Sequence, residues 1–126
     1  MVVTPWHPVK LGEGGGWVFP GYVAVGRVRY TGAVYSVLLE RDEDVDAHAI
    51  LVGGVWGVTM GHRMTDKGRD VRGHHFYGDY DKVSRALARL PRWADGVVSG
   101  EGLIRDAETG LVNGFSRVGG GTAGTA

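Results

Sequence analysis

Glycine punctuates this chain more than any other residue, at 23 of 126 positions, more than twice the usual ~7%. Most of these glycines stand between short apolar runs. That spacing predicts a β protein with many turns, because glycine supplies the positive φ angles tight hairpins need. The clusters Gly14 to Gly16 and Gly119 to Gly121 read as flexible segments. No apolar run approaches the ~20 residues of a membrane-spanning helix. A length of 126 residues predicts one domain that buries roughly two-thirds of its unfolded surface. Fourteen basic residues balance fourteen acidic ones, so the basic excess of a nucleic-acid footprint is missing. There is no cysteine, hence no disulfide framework and no thiolate metal site.

The pattern of runs predicts the elements. Val9 to Leu11 and Trp17 to Phe19 read as short strands around a turn at Glu13 to Gly16, and Pro20-Gly21 then breaks the chain. Val23 to Tyr30 reads as an irregular or bulged strand. Ala33 to Glu40, rich in valine, leucine and tyrosine, carries the strongest strand signal. An acidic loop, Arg41 to Asp46, follows and is expected to be a solvated tip. His48 to Val52 and Val55 to Thr59 flank Gly53-Gly54 as a two-residue hairpin. Arg63 to Gly73 is polar and predicted as loop. Residues 79–90 form the one expected helix: Asp79 can cap it, Val83, Ala86, Leu87 and Leu90 share a face, and Pro91 stops it. That face is expected to cover the sheet. Leu103 to Arg105 and Leu111 to Phe115 flank a turn ending in Gly110, a hairpin over residues 103–115. Arg117 to Ala126 carries no pattern and is expected to be disordered. Trp6, Trp17, Trp56 and Trp93 are the first candidates for contact residues of an interaction surface, though most are expected in the core.

Candidate chemistry rests on five histidines. Thr4-Pro5-Trp6-His7 is a Thr-x-x-His motif. A histidine titrating near neutrality can pass a proton to a departing amide nitrogen, and a hydroxyl can hold the amide. His48 and His62 stand at strand ends, where a structural role is the simpler reading. His74 and His75, adjacent on an extended segment, would point to opposite faces and not share a metal. No histidine spacing matches a zinc pattern. Ser36, Ser84, Ser99 and Ser116 lack a nucleophile elbow, and no phosphate-binding glycine motif is present. No cofactor and no metal is expected.

After Thr4-Pro5-Trp6-His7 come Trp17-Val18-Phe19-Pro20, Val34 to Glu40, His48 to Val55 and Val58-Thr59-Met60-Gly61-His62, in that order. This series resembles the later part of a Hint domain, the self-processing fold of inteins and hedgehog proteins, and in particular the Vint type found with von Willebrand A domains. Gly78-Asp79-Tyr80 and Arg105 to Val112 resemble the segment that follows the Hint core in that type. The resemblance implies a mainly β, incomplete Hint-like fold with one C-terminal helix and a terminal hairpin. It divides the chain into a core part over 1–62, an extension over 63–118 and a tail over 119–126.

By the same resemblance Thr4 orients the scissile amide, His7 is the general acid, and His48 and His62 assist. The family's attacking Cys or Ser, on opening strands ahead of the motif, has no counterpart here. The expectation is therefore a truncated autoprocessing domain, inactive alone. Its implied partner is an N-terminal Hint half or an upstream von Willebrand A domain, in the same or another chain. Arg63 follows His62 where splicing inteins place Asn, which favours cleavage or transfer over splicing. The first alternative is a non-catalytic β-rich interaction module, binding through sheet edges. The second is a histidine-dependent metallohydrolase. Neither nucleic acid nor membrane is an expected partner. With no signal peptide or membrane span in these residues, an intracellular location is expected.

Overall fold

The computed structural model describes residues 2–98 and 102–116. The elements in order are β1 (Val9–Leu11), β2 (Trp17–Val18), α1 (Pro20–Val23), a 3-10 turn at Val45–Ala47, β3 (Ala49–Val52), β4 (Val55–Val58), α2 (Tyr80–Ala88), a second 3-10 turn at Trp93–Asp95, β5 (Gly102–Arg105) and β6 (Val112–Ser116). The described strands all pair antiparallel, in a four-stranded sheet ordered β2-β1-β4-β3 and a separate β5–β6 hairpin. The β-rich class is the one the glycine spacing predicts, and the single sizeable helix is the one predicted over residues 79–90.

Local chemistry explains the elements that match. Gly53 and Gly54 have φ of +56° and +80°, the doubly left-handed turn that follows the twist of its flanking strands. It sets the register Val52 opposite Val55 and Ala49 opposite Val58. β4 then pairs on its other side with β1, Val9 opposite Gly57. In the β5–β6 turn the Asp106 carboxylate accepts from the N–H groups of Glu108 and Thr109 at 2.8 and 2.9 Å, and Gly110 closes the turn with φ +72°. These two hydrogen bonds hold the Asp106 carboxyl below its ordinary pKa. Asp79 caps α2 by accepting from Lys82 N–H at 3.0 Å, and the helix ends at Ala88, two residues before its predicted stop.

The core gathers at this second half. Met60, Phe76, Val83, Leu87, Leu90 and Val112 form one buried cluster, with Phe115 and Leu103 against it. The apolar stripe of α2 thus covers the β5–β6 hairpin and the 60–80 loop, whereas it was expected to cover the sheet. In the four-stranded sheet Val9 is the one fully buried large apolar side chain, while Leu11, Leu51 and Val52 are exposed.

Several expectations fail. Ala33 to Glu40 is not a strand: Leu38 makes an isolated parallel bridge to Met60, and Val37 C=O accepts from Met60 N–H at 2.9 Å. Val23 to Tyr30 is not a strand either; Val23 ends α1, whose first residue is Pro20. A β-forming sequence becomes a strand only where a neighbour takes its backbone hydrogen bonds, and neither run pairs as a strand with any described strand. None of the four tryptophans is fully buried; Trp6 and Trp93 are exposed, and Trp17 and Trp56 half-buried. Arg117 to Ala126, expected to be disordered, and Ser99 lie outside the described residues.

Candidate functional site

The Thr4–His7 motif is a turn, closed by His7 N–H donating to Thr4 C=O at 3.2 Å. Proline at its second position presets the backbone for it. The turn docks in two ways. Gly21 N–H donates to Pro5 C=O at 2.9 Å, and Trp6 packs edge-on against Phe19 and Tyr22, with ring centroids 5.4 and 5.7 Å apart. Pro20-Gly21 thus begins a single helical turn that holds the motif in place.

His7 is half-buried, and its Nε2 lies 3.0 Å from Val58 C=O. A carbonyl only accepts, so Nε2 carries the proton, and a neutral ring leaves a lone pair on Nδ1. Burial lowers the His7 pKa below its ordinary value, partly offset by the bond to Val58. The ring is therefore neutral at pH 7, with one nitrogen fixed and the other able to take a proton. Thr4 is half-buried beside it.

His48 and His62 belong to a second, buried layer. His48 is 1% exposed. Its Nε2 donates to Asp42 C=O at 2.8 Å, and its ring faces Tyr80 across 6.3 Å. His48 Nδ1 and Thr59 Oγ1 are buried without a hydrogen-bond partner among the described residues. His62 is 2% exposed; its Nδ1 accepts from Met64 N–H at 3.1 Å. Burial, then the nearby Arg72 charge and His48, push the His62 pKa down to about 4.

One peptide joins the two layers. The carbonyl of Val58 accepts from the His7 ring, while the N–H of Thr59 donates to His48 C=O at 2.9 Å. The structure thus brings His48 and His62 near one another and ties His7 to them through the backbone at the end of β4.

Arg72 is the organising residue that the sequence did not single out. Its nearly buried guanidinium forks onto Asp70 at 2.8 and 3.0 Å and reaches Asp46 at 3.0 Å. It also lies over the Trp17 ring at 4.8 Å. One side chain therefore fastens β2, the acidic loop and the 63–79 loop together, with the planar fork geometry that lysine lacks. Asp70 is held below its usual carboxyl range chiefly by its hydrogen bond to Arg72. The sequence signal is slight, an Asp-x-Arg spacing inside a polar loop.

His74 and His75 depart from expectation. They lie in a turn, not a strand, and their rings stack at 4.9 Å. His74 Nδ1 accepts from the N–H groups of Phe76 and Tyr77, each at 3.1 Å, and burial lowers its pKa to about 4. Both His62 and His74 are thus neutral acceptors that cap backbone donors. Among the described residues, no group of three His, Cys, Asp or Glu side chains is placed to hold a metal ion. No helix there is long and apolar enough to cross a membrane.

A Hint-domain family model matches residues 1–114 of the 126. That model is Vint, and the chain belongs to this family of Hint domains. No curated protein matches it.

Proposed function

We propose that this chain carries the threonine- and histidine-bearing part of a Vint-type autoprocessing site, and that it processes no peptide bond until a Cys or Ser nucleophile is brought to the Thr4–His7 turn. The observation that supports this reading is the His7 ring, neutral, with Nε2–H fixed on Val58 C=O and Nδ1 left with a lone pair.

In the reaction, the nucleophile's sulfur or oxygen bonds to the carbonyl carbon of the residue before it. The C–N bond between those two residues breaks, leaving a thioester or ester and a free amine. The proton lost by the thiol or hydroxyl passes to His7 Nδ1 and then to the departing nitrogen, so none is gained or lost overall. The Thr4 hydroxyl holds the scissile amide. His48 and His62 act as positioning groups, since hydrogen bonds to Asp42 C=O and from Met64 N–H engage their rings.

The 126 residues hold no cysteine, so a thiol nucleophile comes from a segment outside them, on the same polypeptide or another. A von Willebrand A domain is the proposed neighbour. Arg63 follows His62, so the ester is resolved by an outside nucleophile, giving cleavage or transfer.

The test mixes this chain with a reporter fused to the segment that precedes the Thr-x-x-His motif in another Vint-family protein. With a Cys-bearing segment, dithiothreitol should exchange with the thioester and release the reporter, read by intact mass. His7→Ala should slow release by ~10²–10⁴-fold, the usual range for a lost acid–base group. Release that ignores His7→Ala, or no release at all, contradicts the proposal.

A further inference from the structure

Between α2 and the β5–β6 hairpin lies a groove of about 200 Å³. Lys82, Arg85 and Arg89 line it from the helix, and Phe76, Ile104 and Phe115 belong to its apolar lining. The rings of Phe76 and Phe115 meet edge-on with centroids 5.4 Å apart, and Ile104 is 50% exposed. No acidic residue lines the groove, and none of its residues belongs to the Thr4–His7 turn or to the His48 and His62 layer.

The charge of this groove is not neutralised. The side chains of Lys82, Arg85 and Arg89 have no ion-pair or hydrogen-bond partner among the described residues. Asp81, whose carboxylate feels the charge of Arg85, is bonded to Arg41. A solvated helix face ordinarily mixes both signs. The helix dipole accounts for Arg85 and Arg89 towards the C-terminal end of α2, but Lys82 stands in the first turn, where a cation is disfavoured. Arg85 and Arg89, four positions apart on one face, repel one another. The chain as a whole is neutral, so the cluster is a local excess.

We infer that this groove binds an extended acidic peptide, which sets carboxylates against Lys82, Arg85 and Arg89 and an apolar side chain against Ile104 and Phe115. Lys82 and Arg89 are about 10 Å apart along the helix axis. An extended chain carries same-side carboxylates about 7 Å apart, so two at alternate positions serve the whole stripe. The arginine forks take carboxylates through paired hydrogen bonds. The volume falls below the ~300–1,000 Å³ of clefts that enclose a drug-sized cofactor, so the groove accepts a side chain of a longer chain. Phe76 is buried and Phe115 half-buried, which leaves no fully open ring for a nucleic-acid base to stack on. A concave site also mismatches a flat lipid surface.

The test titrates the whole chain with the capped peptide Ac-Glu-Leu-Glu-Leu-Glu-NH2, followed by backbone amide chemical shifts, beside a control with Gln in place of each Glu. The acidic peptide should bind, the control should not, and added salt should weaken the binding. Shifts should move at residues 82–89, 104 and 113–115. Arg85→Ala with Arg89→Ala should weaken binding about tenfold or more, and Ile104→Asp should weaken it too. Arg27→Ala with Arg29→Ala, which removes the same charge elsewhere, should leave it unchanged.

Equal binding of the Gln peptide, an equal loss in the Arg27 and Arg29 variant, shifts centred outside the groove, or no binding at all would overturn the inference. Should the Arg85 and Arg89 variant fail to fold, Lys82→Gln with Arg89→Gln must weaken binding in its place. Oligothymidylate or phosphatidylserine vesicles moving the same amides, with the acidic peptide failing to do so, would overturn the peptide as occupant. The reporter assay of the Thr4–His7 turn is a separate test, and neither result decides the other.

Discussion

The part of the molecule after residue 60 and the part before it bury their apolar residues differently. After residue 60, α2, the loop ahead of it and the β5–β6 hairpin enclose a cluster from Met60 to Val112. Before it, a four-stranded sheet buries Val9 and leaves Leu11, Leu51 and Val52 in solvent, and the run from Tyr22 to Tyr35 is open throughout. Both parts have β-forming sequence. The difference lies in partners: α2 gives the hairpin a covering layer, and among the described residues nothing gives the sheet an equivalent one. The proposed site sits on the open part, His7 bonded to Val58 at the end of β4, while the closed part supplies the histidines that cap backbone.

The contrast is sharpest under mutation. Leu87→Ala opens a cavity in the enclosed cluster and should cost roughly 2–5 kcal/mol of stability, measured by urea unfolding. A loss below ~1 kcal/mol would mean that the cluster is not the centre of stability.

Acid should strike the same part. His62 and His74 are held neutral, their pKa values lowered from 6.5 to about 4. Between those values the unfolded chain takes up protons that the folded chain refuses. Stability is therefore fully present above pH 6.5 and falls as the pH drops towards 4, on the order of 3 kcal/mol for the buried His62. Unfolding midpoints across pH 4 to 8 check this, and a flat profile would contradict it.

Asp79→Ala removes the cap of α2 and should cost ~1 kcal/mol. On the open part, Val25→Ser and Tyr35→Ser should change stability by no more than ~0.5 kcal/mol. A cost near that of Leu87→Ala would show that the open run is packed in solution and erase the contrast.

The same contrast decides what the sequence reveals. Elements set by local chemistry are legible: the Gly53-Gly54 hairpin, the Asp79 cap with its Val83–Leu87 stripe, and the Asp106–Gly110 turn. Ala33 to Glu40, with the strongest strand composition, is misread because pairing depends on a neighbour that composition does not report. Of the site, the Thr-x-x-His motif at Thr4–His7 is legible. The hold of Val58 on His7 is not, because it spans 51 residues of sequence. Arg72 escapes notice for the same reason, since Trp17 and Asp46 meet it only after folding.

The chemistry assigned to His7 depends on which of its nitrogens carries the proton. Long-range proton–nitrogen correlation spectra of the histidine rings, followed over pH, read that directly. His7 should appear as the Nε2–H form with a pKa below 6.5, consistent with its bond to Val58 and its burial. An Nδ1–H ring, or a pKa above 6.5, would contradict the role of Nδ1 as the carrier of the proton to the departing nitrogen.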